Sequence, residues 1–119
     1  MIGVDVIEIE RLERALERRP GLAERIFSQG ELAYARTHRR PGRHLAARFA
    51  AKEAAVKALG IGGLALHEVE VLGGGDTQPR LALTGRALRA AEELGMELEV
   101  SLSHSRELAI AAVIGSRTR

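Results

Sequence analysis

Arg43-His44-Leu45-Ala46-Ala47-Arg48-Phe49-Ala50-Ala51-Lys52-Glu53-Ala54-Ala55-Val56-Lys57-Ala58-Leu59, followed by Gly60, is the stretch on which the fold turns. Its alanine-rich run and terminal glycine predict one long helix from about Arg43 to Leu59. On an ideal wheel, Leu45, Phe49, Val56 and Leu59 fall within about 80° of one another. Lys52 lies in the middle of that apolar arc. Arg48 borders one side of it, Glu53 the other, and Lys57 sits one turn on from Glu53. The remaining surface is Ala46, Ala47, Ala50, Ala51, Ala54, Ala55 and Ala58. A surface helix carries a charged outer face, and this one carries alanine. It is therefore predicted to be buried nearly all round, packed closely against strands with room for another subunit.

An acid and two lysines on such a helix are costly to desolvate without partners. The plain explanation is an internal Glu53–Lys57 pair at i,i+4, with Lys52 snorkelling outward. Two other features point past it. Asp5 is a second carboxylate on an otherwise apolar strand, two residues from Gly3, and glycine in a strand permits close backbone approach. Between Glu31 and Glu53 there is no acid, while Arg36, Arg39, Arg40, Arg43, Arg48 and Lys52 fall inside, so a basic stretch leads straight into the helix. Two hard oxygen ligands beside several cations are what a Mg²⁺–diphosphate site requires. Lysines and arginines neutralise the phosphate charge that the metal leaves over.

Working outward, Ile2–Ile9 is β-branched and alternates Ile2, Val4 and Val6 with Gly3 and Asp5, predicting a first strand. Glu10–Arg19 reads as a helix ended by Pro20-Gly21. Leu12, Ala15 and Leu16 form its buried stripe, and Arg11, Arg14 and Arg18 share another face. Only Glu10 precedes an arginine by four residues, so local pairing does not explain that basic face. Short helices follow at Leu22–Phe27 and Ser28–Thr37, the second opened by a Ser28/Glu31 capping box. Arg39–Arg43, holding Pro41-Gly42, reads as a basic loop. After the long helix come a glycine loop, a strand at His67–Leu72, a turn at Gly73–Asp76 and a short strand at Arg80–Leu83. Thr84 is expected to cap a helix through Leu94 that ends at Gly95. Strands at Glu97–Ser103 and Leu108–Ile114 flank a turn, and Gly115–Arg119 reads as frayed. The order predicts an α+β fold, a mainly antiparallel sheet packed against the long central helix.

At 119 residues the chain fits one domain, residues 1–119. It is 45% apolar but only 3% aromatic, so the core is aliphatic and small, and burial at a subunit interface becomes attractive. The absence of cysteine removes disulfides, thiolate metal sites and thiol nucleophiles together. No segment approaches the roughly 18 consecutive apolar residues of a membrane span. The start, Met1-Ile2-Gly3-Val4-Asp5, lacks a signal peptide's basic region, so the cytoplasm is expected. The net charge of +2 hides an asymmetry: residues 1–60 carry 12 Lys/Arg against 8 Asp/Glu, and residues 61–119 carry 6 against 8. Such a field suits a polyanion.

Ser101-Leu102-Ser103-His104-Ser105 places hydroxyls and an imidazole at a strand end, where they can donate to phosphate oxygens. A Ser–His hydrolase is disfavoured: G-x-S-x-G is missing and His104 has no defined orienting acid. Zinc is disfavoured because His38, His44, His67 and His104 lack ligand spacing. Gly60-Ile61-Gly62-Gly63 is neither a Walker A loop nor a dinucleotide fingerprint. A non-enzymatic module binding nucleic acid or a phosphate ligand would use the same arginines. It would leave Asp5 and Glu53 unexplained, and the scarcity of aromatics removes base-stacking platforms.

Gly3-Val4-Asp5 with Glu8-Ile9, Arg25-Ile26-Phe27 with Glu31-Leu32, and Arg48-Phe49-Ala50-Ala51-Lys52-Glu53-Ala54-Ala55-Val56-Lys57-Ala58 together carry a resemblance. So do His67-Glu68-Val69-Glu70-Val71, Pro79 to Gly85, and Ser101-Leu102-Ser103-His104. With these the chain resembles, over nearly its whole length, the holo-acyl-carrier-protein synthase family of 4′-phosphopantetheinyl transferases. The pairing of G-x-D near the start with F-x-x-K-E-x-x-x-K on the central helix is the specific part. The resemblance implies a transferase of fatty acid biosynthesis and lipid metabolism. Such an enzyme moves the phosphopantetheine arm of coenzyme A onto a serine of an acyl carrier protein and releases adenosine 3′,5′-bisphosphate. It implies that Asp5 and Glu53 bind Mg²⁺ with the coenzyme's diphosphate, and that Lys57 contacts phosphate and the developing charge. Arg48, Lys52, Ser103 and His104 would lie in or near the coenzyme pocket, and Glu53, or a water it orients, would accept the serine proton. The Arg11/Arg14/Arg18 face with Arg25 would meet the acidic carrier protein. The family's small members work as trimers with sites between subunits. The family's glycine loop of the type G-T-G-I-G is contracted here to Gly60-Ile61-Gly62-Gly63.

Overall fold

The computed structural model describes residues 1–63 and 66–118. Its elements run β1 (Ile2–Glu8), α1 (Ile9–Arg18), α2 (Leu22–Ile26), α3 (Gln29–Arg36), α4 (Pro41–Leu59), a 3-10 turn (Leu66–Glu68), β2 (Val69–Gly74), β3 (Thr77–Leu83), α5 (Gly85–Leu94), β4 (Met96–His104) and β5 (Leu108–Arg117). Every pairing among the described strands is antiparallel. One sheet has the order β1-β5-β4, and the hairpin β2–β3 stands apart as a second. The α+β architecture around a long central helix holds, with its strands divided between two sheets.

Small side chains decide how these parts fit. Ala50, Ala51, Ala54 and Ala55 of α4 are completely buried, and Ala109, Ala111 and Val113 of β5 face them from the sheet. At the first strand the approach is closer still: a Cβ on Gly3 would overlap the Ala54 carbonyl oxygen. Only a residue without a side chain lets β1 lie directly on the helix. The strand's alternation then puts Gly3, Asp5 and Ile7 on the helix side. Ile2, Val4 and Val6 turn outward, 68%, 45% and 54% exposed, and Ile110 and Ile114 of β5 share that face at 41% and 51%. A sheet with one face on a helix and the other apolar but uncovered is a surface that favours association.

Several boundaries differ from the sequence reading, each for a local reason. Pro41 is the first residue of α4 instead of part of a loop, its missing N–H costing nothing at that position. The segment beyond Ile114 is strand through Arg117. Thr118 donates its N–H to the Gly95 carbonyl at 2.8 Å, so the expected fraying does not occur there; Arg119 lies outside the described residues. The capping box of α3 forms as expected, Glu31 N donating to Ser28 Oγ at 3.1 Å and Ser28 N to Glu31 Oε1 at 2.8 Å. Thr84 stands at the N-cap of α5 without a side-chain bond; instead Glu68 accepts from Ala87 N at 3.2 Å. A carboxylate from elsewhere in the chain thus meets the helix's free donors and its dipole.

Candidate active site

The two cationic stripes of α4 have different surroundings. Lys52, fully buried, faces α3 and β2: its Nζ pairs with Glu31 Oε1 at 2.9 Å and also donates to the carbonyls of Val69 and Leu66. Glu31 completes its own set by accepting from Val71 N at 2.8 Å. Burial pulls the Lys52 ammonium below its ordinary value, while the Glu31 charge and hydrogen bond hold it up. This is a closed pair, every group answered from inside the fold. Lys52 does not snorkel, and it does not reach the groove described next.

That groove lies on the other flank of α4, along the free edge of β1. Asp5, Glu8 and Ile7 of β1, Arg11, Leu12 and Ala15 of α1, and Phe49 and Glu53 of α4 are among its lining, and it encloses about 580 Å³. Asp5 is brought there by the contact between Gly3 and Ala54, and Glu53 lies one residue before that same alanine. Lys57, one turn beyond Glu53, does not pair with it. Its Nζ spans to Asp5 Oδ1 at 3.1 Å and to the Val4 carbonyl at 3.1 Å. The pair is open, with Lys57 54% and Asp5 18% exposed in their side chains. Burial pushes the Glu53 carboxyl up from its ordinary range, the Asp5 charge adds to that, and Lys57 offsets part of it. Two carboxylates from different elements, mutually repelling and only partly neutralised, are a donor set that a hard divalent cation fits. The same groove holds Glu8, which the sequence reading quoted without giving it a task; nothing in the sequence separates it from an ordinary helix-capping acid.

The other candidates fall into separate places. Arg48 is 3% exposed, stacked 3.9 Å from the centre of the Tyr34 ring, with Nη2 donating to the Gly73 carbonyl at 2.6 Å. It clamps the glycine turn of the β2–β3 hairpin, where Gly74 takes φ +106°, a value that L side chains rarely adopt. His104, at the end of β4, makes an edge contact with His44 at 5.5 Å. Ser103 alternates onto the uncovered sheet face, opposite Ile110. In one chain neither Ser103 nor His104 lines the Asp5–Glu53 groove, for β4 is the far strand of the sheet. Arg11, Arg14, Arg18 and Arg25 are all exposed, Arg11 at the groove's rim and Arg14 paired with Glu10 at 3.2 Å. A larger cavity of about 900 Å³ beside α2 holds Arg19 and Arg25 but a single carboxylate, Glu24, so its size confers no metal-binding chemistry.

Comparison with known proteins agrees in sequence and in structure. The family model described as the 4′-phosphopantetheinyl transferase superfamily matches residues 1–113. The holo-[acyl-carrier-protein] synthase of Moorella thermoacetica is 47% identical over 115 residues, 94% of this chain and 90% of that protein. That of Streptomyces griseus is 50% identical over 115 residues, 95% and 94% of the two. Among solved structures, the ACPS–CoA complex of Chronobacterium ammoniagenes superposes with a TM-score of 0.87 at 31% identity, over 100% of this chain and 98% of that one. The Helicobacter pylori synthase in complex with coenzyme A gives 0.83 at 28%, over 98% and 100%.

Proposed function

Because the chain belongs to the 4′-phosphopantetheinyl transferase superfamily, we infer its reaction from its relatives and assign the chemistry to its own groove. It is an enzyme that transfers the 4′-phosphopantetheine arm of coenzyme A to a serine of apo acyl carrier protein, leaving adenosine 3′,5′-bisphosphate. The observation that carries the site assignment is the seating of Gly3 on Ala54, which sets Asp5 and Glu53 into one groove with Lys57 across it.

In this reading Asp5 and Glu53 would hold Mg²⁺, which would supply Lewis-acid polarisation of the diphosphate and offset its charge. Lys57, held by Asp5, would supply its ammonium to a phosphate oxygen of the coenzyme. Glu53 orients the water that takes the serine proton. The serine oxygen attacks the β-phosphorus and the bond to the leaving phosphate breaks, with positioning and charge neutralisation supplying the catalysis. Arg48 holds the hairpin turn beside the coenzyme, and His104 and Ser103 reach it from the end of β4.

That last pair reaches the coenzyme only if sites lie between copies, and the uncovered apolar face of β1 and β5 supports a homotrimer. The exposed Arg11, Arg14, Arg18 and Arg25 face the acidic carrier protein and speed encounter. No described helix is long and apolar enough to cross a membrane, and we place the enzyme, as one domain, in the cytoplasm. Incubation with apo carrier protein, coenzyme A and Mg²⁺, followed by mass spectrometry, tests the whole. A carrier protein that gains no phosphopantetheine mass would sink the reading.

A further inference from the structure

Of the three acids on α1, Glu10 and Glu17 lie exposed and Glu13 is half-buried. The Glu13 carboxylate meets Arg40, the residue just before α4, in a two-pronged pair. Arg40 Nε donates to Oε2 at 3.1 Å and Nη2 to Oε1 at 2.9 Å. The remaining arm of the guanidinium, Nη1, donates to the Arg106 carbonyl at 2.7 Å. Three segments distant in sequence are thus joined at one planar group, and the fork geometry fixes their mutual orientation. Gly42 makes room for the arrangement: a Cβ there would overlap Glu13 Cγ and Oε2.

The turn between β4 and β5 that supplies Arg106 is itself fixed. Ser105 N donates to the Leu108 carbonyl at 2.8 Å, and Leu108 N donates to Ser105 Oγ at 3.2 Å. The neighbouring Glu107 carbonyl accepts from the N–H of Ile9, the first residue of α1, at 2.8 Å. One turn therefore holds α1 twice, directly at its start and through Arg40 and Glu13 at its middle. Past Glu13 the packing thins: Ile9 and Leu12 are buried, whereas Ala15 and Leu16 are only half-buried. On the wheel Glu13 stands about 100–160° from Arg11, Arg14 and Arg18. The brace holds the helix from behind and leaves those three arginines facing out.

We propose that Glu13, clamped by Arg40 against the β4–β5 turn, is a positioning residue for transfer. It fixes α1 so that the arginine face presents the carrier protein's serine to the Asp5–Glu53 groove, a role that rests on that face receiving the carrier protein. Arg11 lines the groove's rim and shares its helix with Arg14 and Arg18, so a tilt of α1 moves the docking face relative to the acids. A face correctly posed for only a fraction of the time loses apparent affinity in that proportion.

Charge and pose act in opposite directions at this position. Glu13→Gln removes a negative charge from beside the basic face, so by its field alone it would draw in an acidic partner and lower KM. Loss of the brace raises KM. Gly42→Ala displaces the Glu13 side chain with every charge kept, at a helical position where alanine is favoured over glycine. Steady-state transfer by both variants should show KM for the carrier protein raised about fivefold, with KM for coenzyme A unchanged. A carrier KM unchanged or lowered in Glu13→Gln, or a coenzyme A KM raised as much, would overturn the proposal. Amide hydrogen exchange from Glu13 to Arg18 should quicken in both variants while α4 and the sheet stay as they were, and unaltered exchange would equally overturn it. Wild-type protein that transfers nothing fails the reaction assignment, not the brace, which exchange then decides by itself.

Discussion

Lys52 and Lys57 stand five residues apart on one helix, each beside a carboxylate from another element, and they share little else. Lys52 and Glu31 are both 0% exposed in their side chains, and their remaining hydrogen bonds end on backbone groups of the hairpin, the 3-10 turn before it and the cap of α3. Lys57 and Asp5 are open to solvent, Asp5 shares its groove with a second acid, and burial and the Asp5 charge push that acid's carboxyl up from its ordinary range. A closed pair has no unsatisfied group left to offer a ligand, so it fixes the fold. An open pair that holds more negative charge than its lysine can balance is ready to exchange partners. Position on the wheel, not residue type, decides which lysine is sealed in and which is left open.

That contrast breaks if substitutions on the two sides behave alike. The largest expected effect is on transfer: Asp5→Asn and Glu53→Gln should each lower kcat/KM by about a thousandfold or more, several kcal/mol of transition-state stabilisation, with the urea midpoint unchanged or raised. Next, Glu31→Ala should cost about 3–5 kcal/mol in urea unfolding by leaving a buried ammonium unpaired. Activity per folded molecule should fall far less than in the first pair. Equal losses of stability on both sides would erase the distinction.

Smaller effects sharpen it. On the proposed assignment of the ion to the open site, Mg²⁺ should raise the melting temperature of the wild type by a few degrees and leave Glu53→Gln unmoved. The Glu53 carboxyl, held above its unfolded range, favours folding below that range and loses the contribution as pH rises, so Glu53→Gln without metal should match or exceed wild-type stability at neutral pH. Least of all, Arg14→Glu, at a residue whose only ion pair among the described residues is the exposed one to Glu10, should raise KM for the carrier protein several-fold, more at low salt, and leave KM for coenzyme A alone.

Much of this was legible before any coordinates. The alanine coat of α4 announced burial, Gly3 beside Asp5 announced a close approach, and Ser28 with Glu31 announced a cap. Lys52 misled because a lysine on an apolar arc ordinarily reaches for water, and its true partner had already been accounted for as a capping residue. Glu31 does both jobs with its two oxygens, which local spacing cannot reveal. Likewise i,i+4 spacing suggested Glu53 for Lys57, whereas the shortest route led across to a strand 52 residues away in sequence. The edge of the cap on α5, supplied by Glu68, and the pinning of Thr118 to Gly95 are of the same kind. Each depends on which distant segments fold together, and the chain records that only through its whole pattern.

Position 3 carries no functional group and titrates nothing, yet it sets the gap between the first strand and the carbonyl of Ala54. A saturation library read out by transfer should therefore mark residue 3 as being as intolerant as the acids themselves, with alanine already failing. Anyone redesigning the groove for a broader ion would have to start by retailoring the helix backbone, since there is no atom on the strand left to trim.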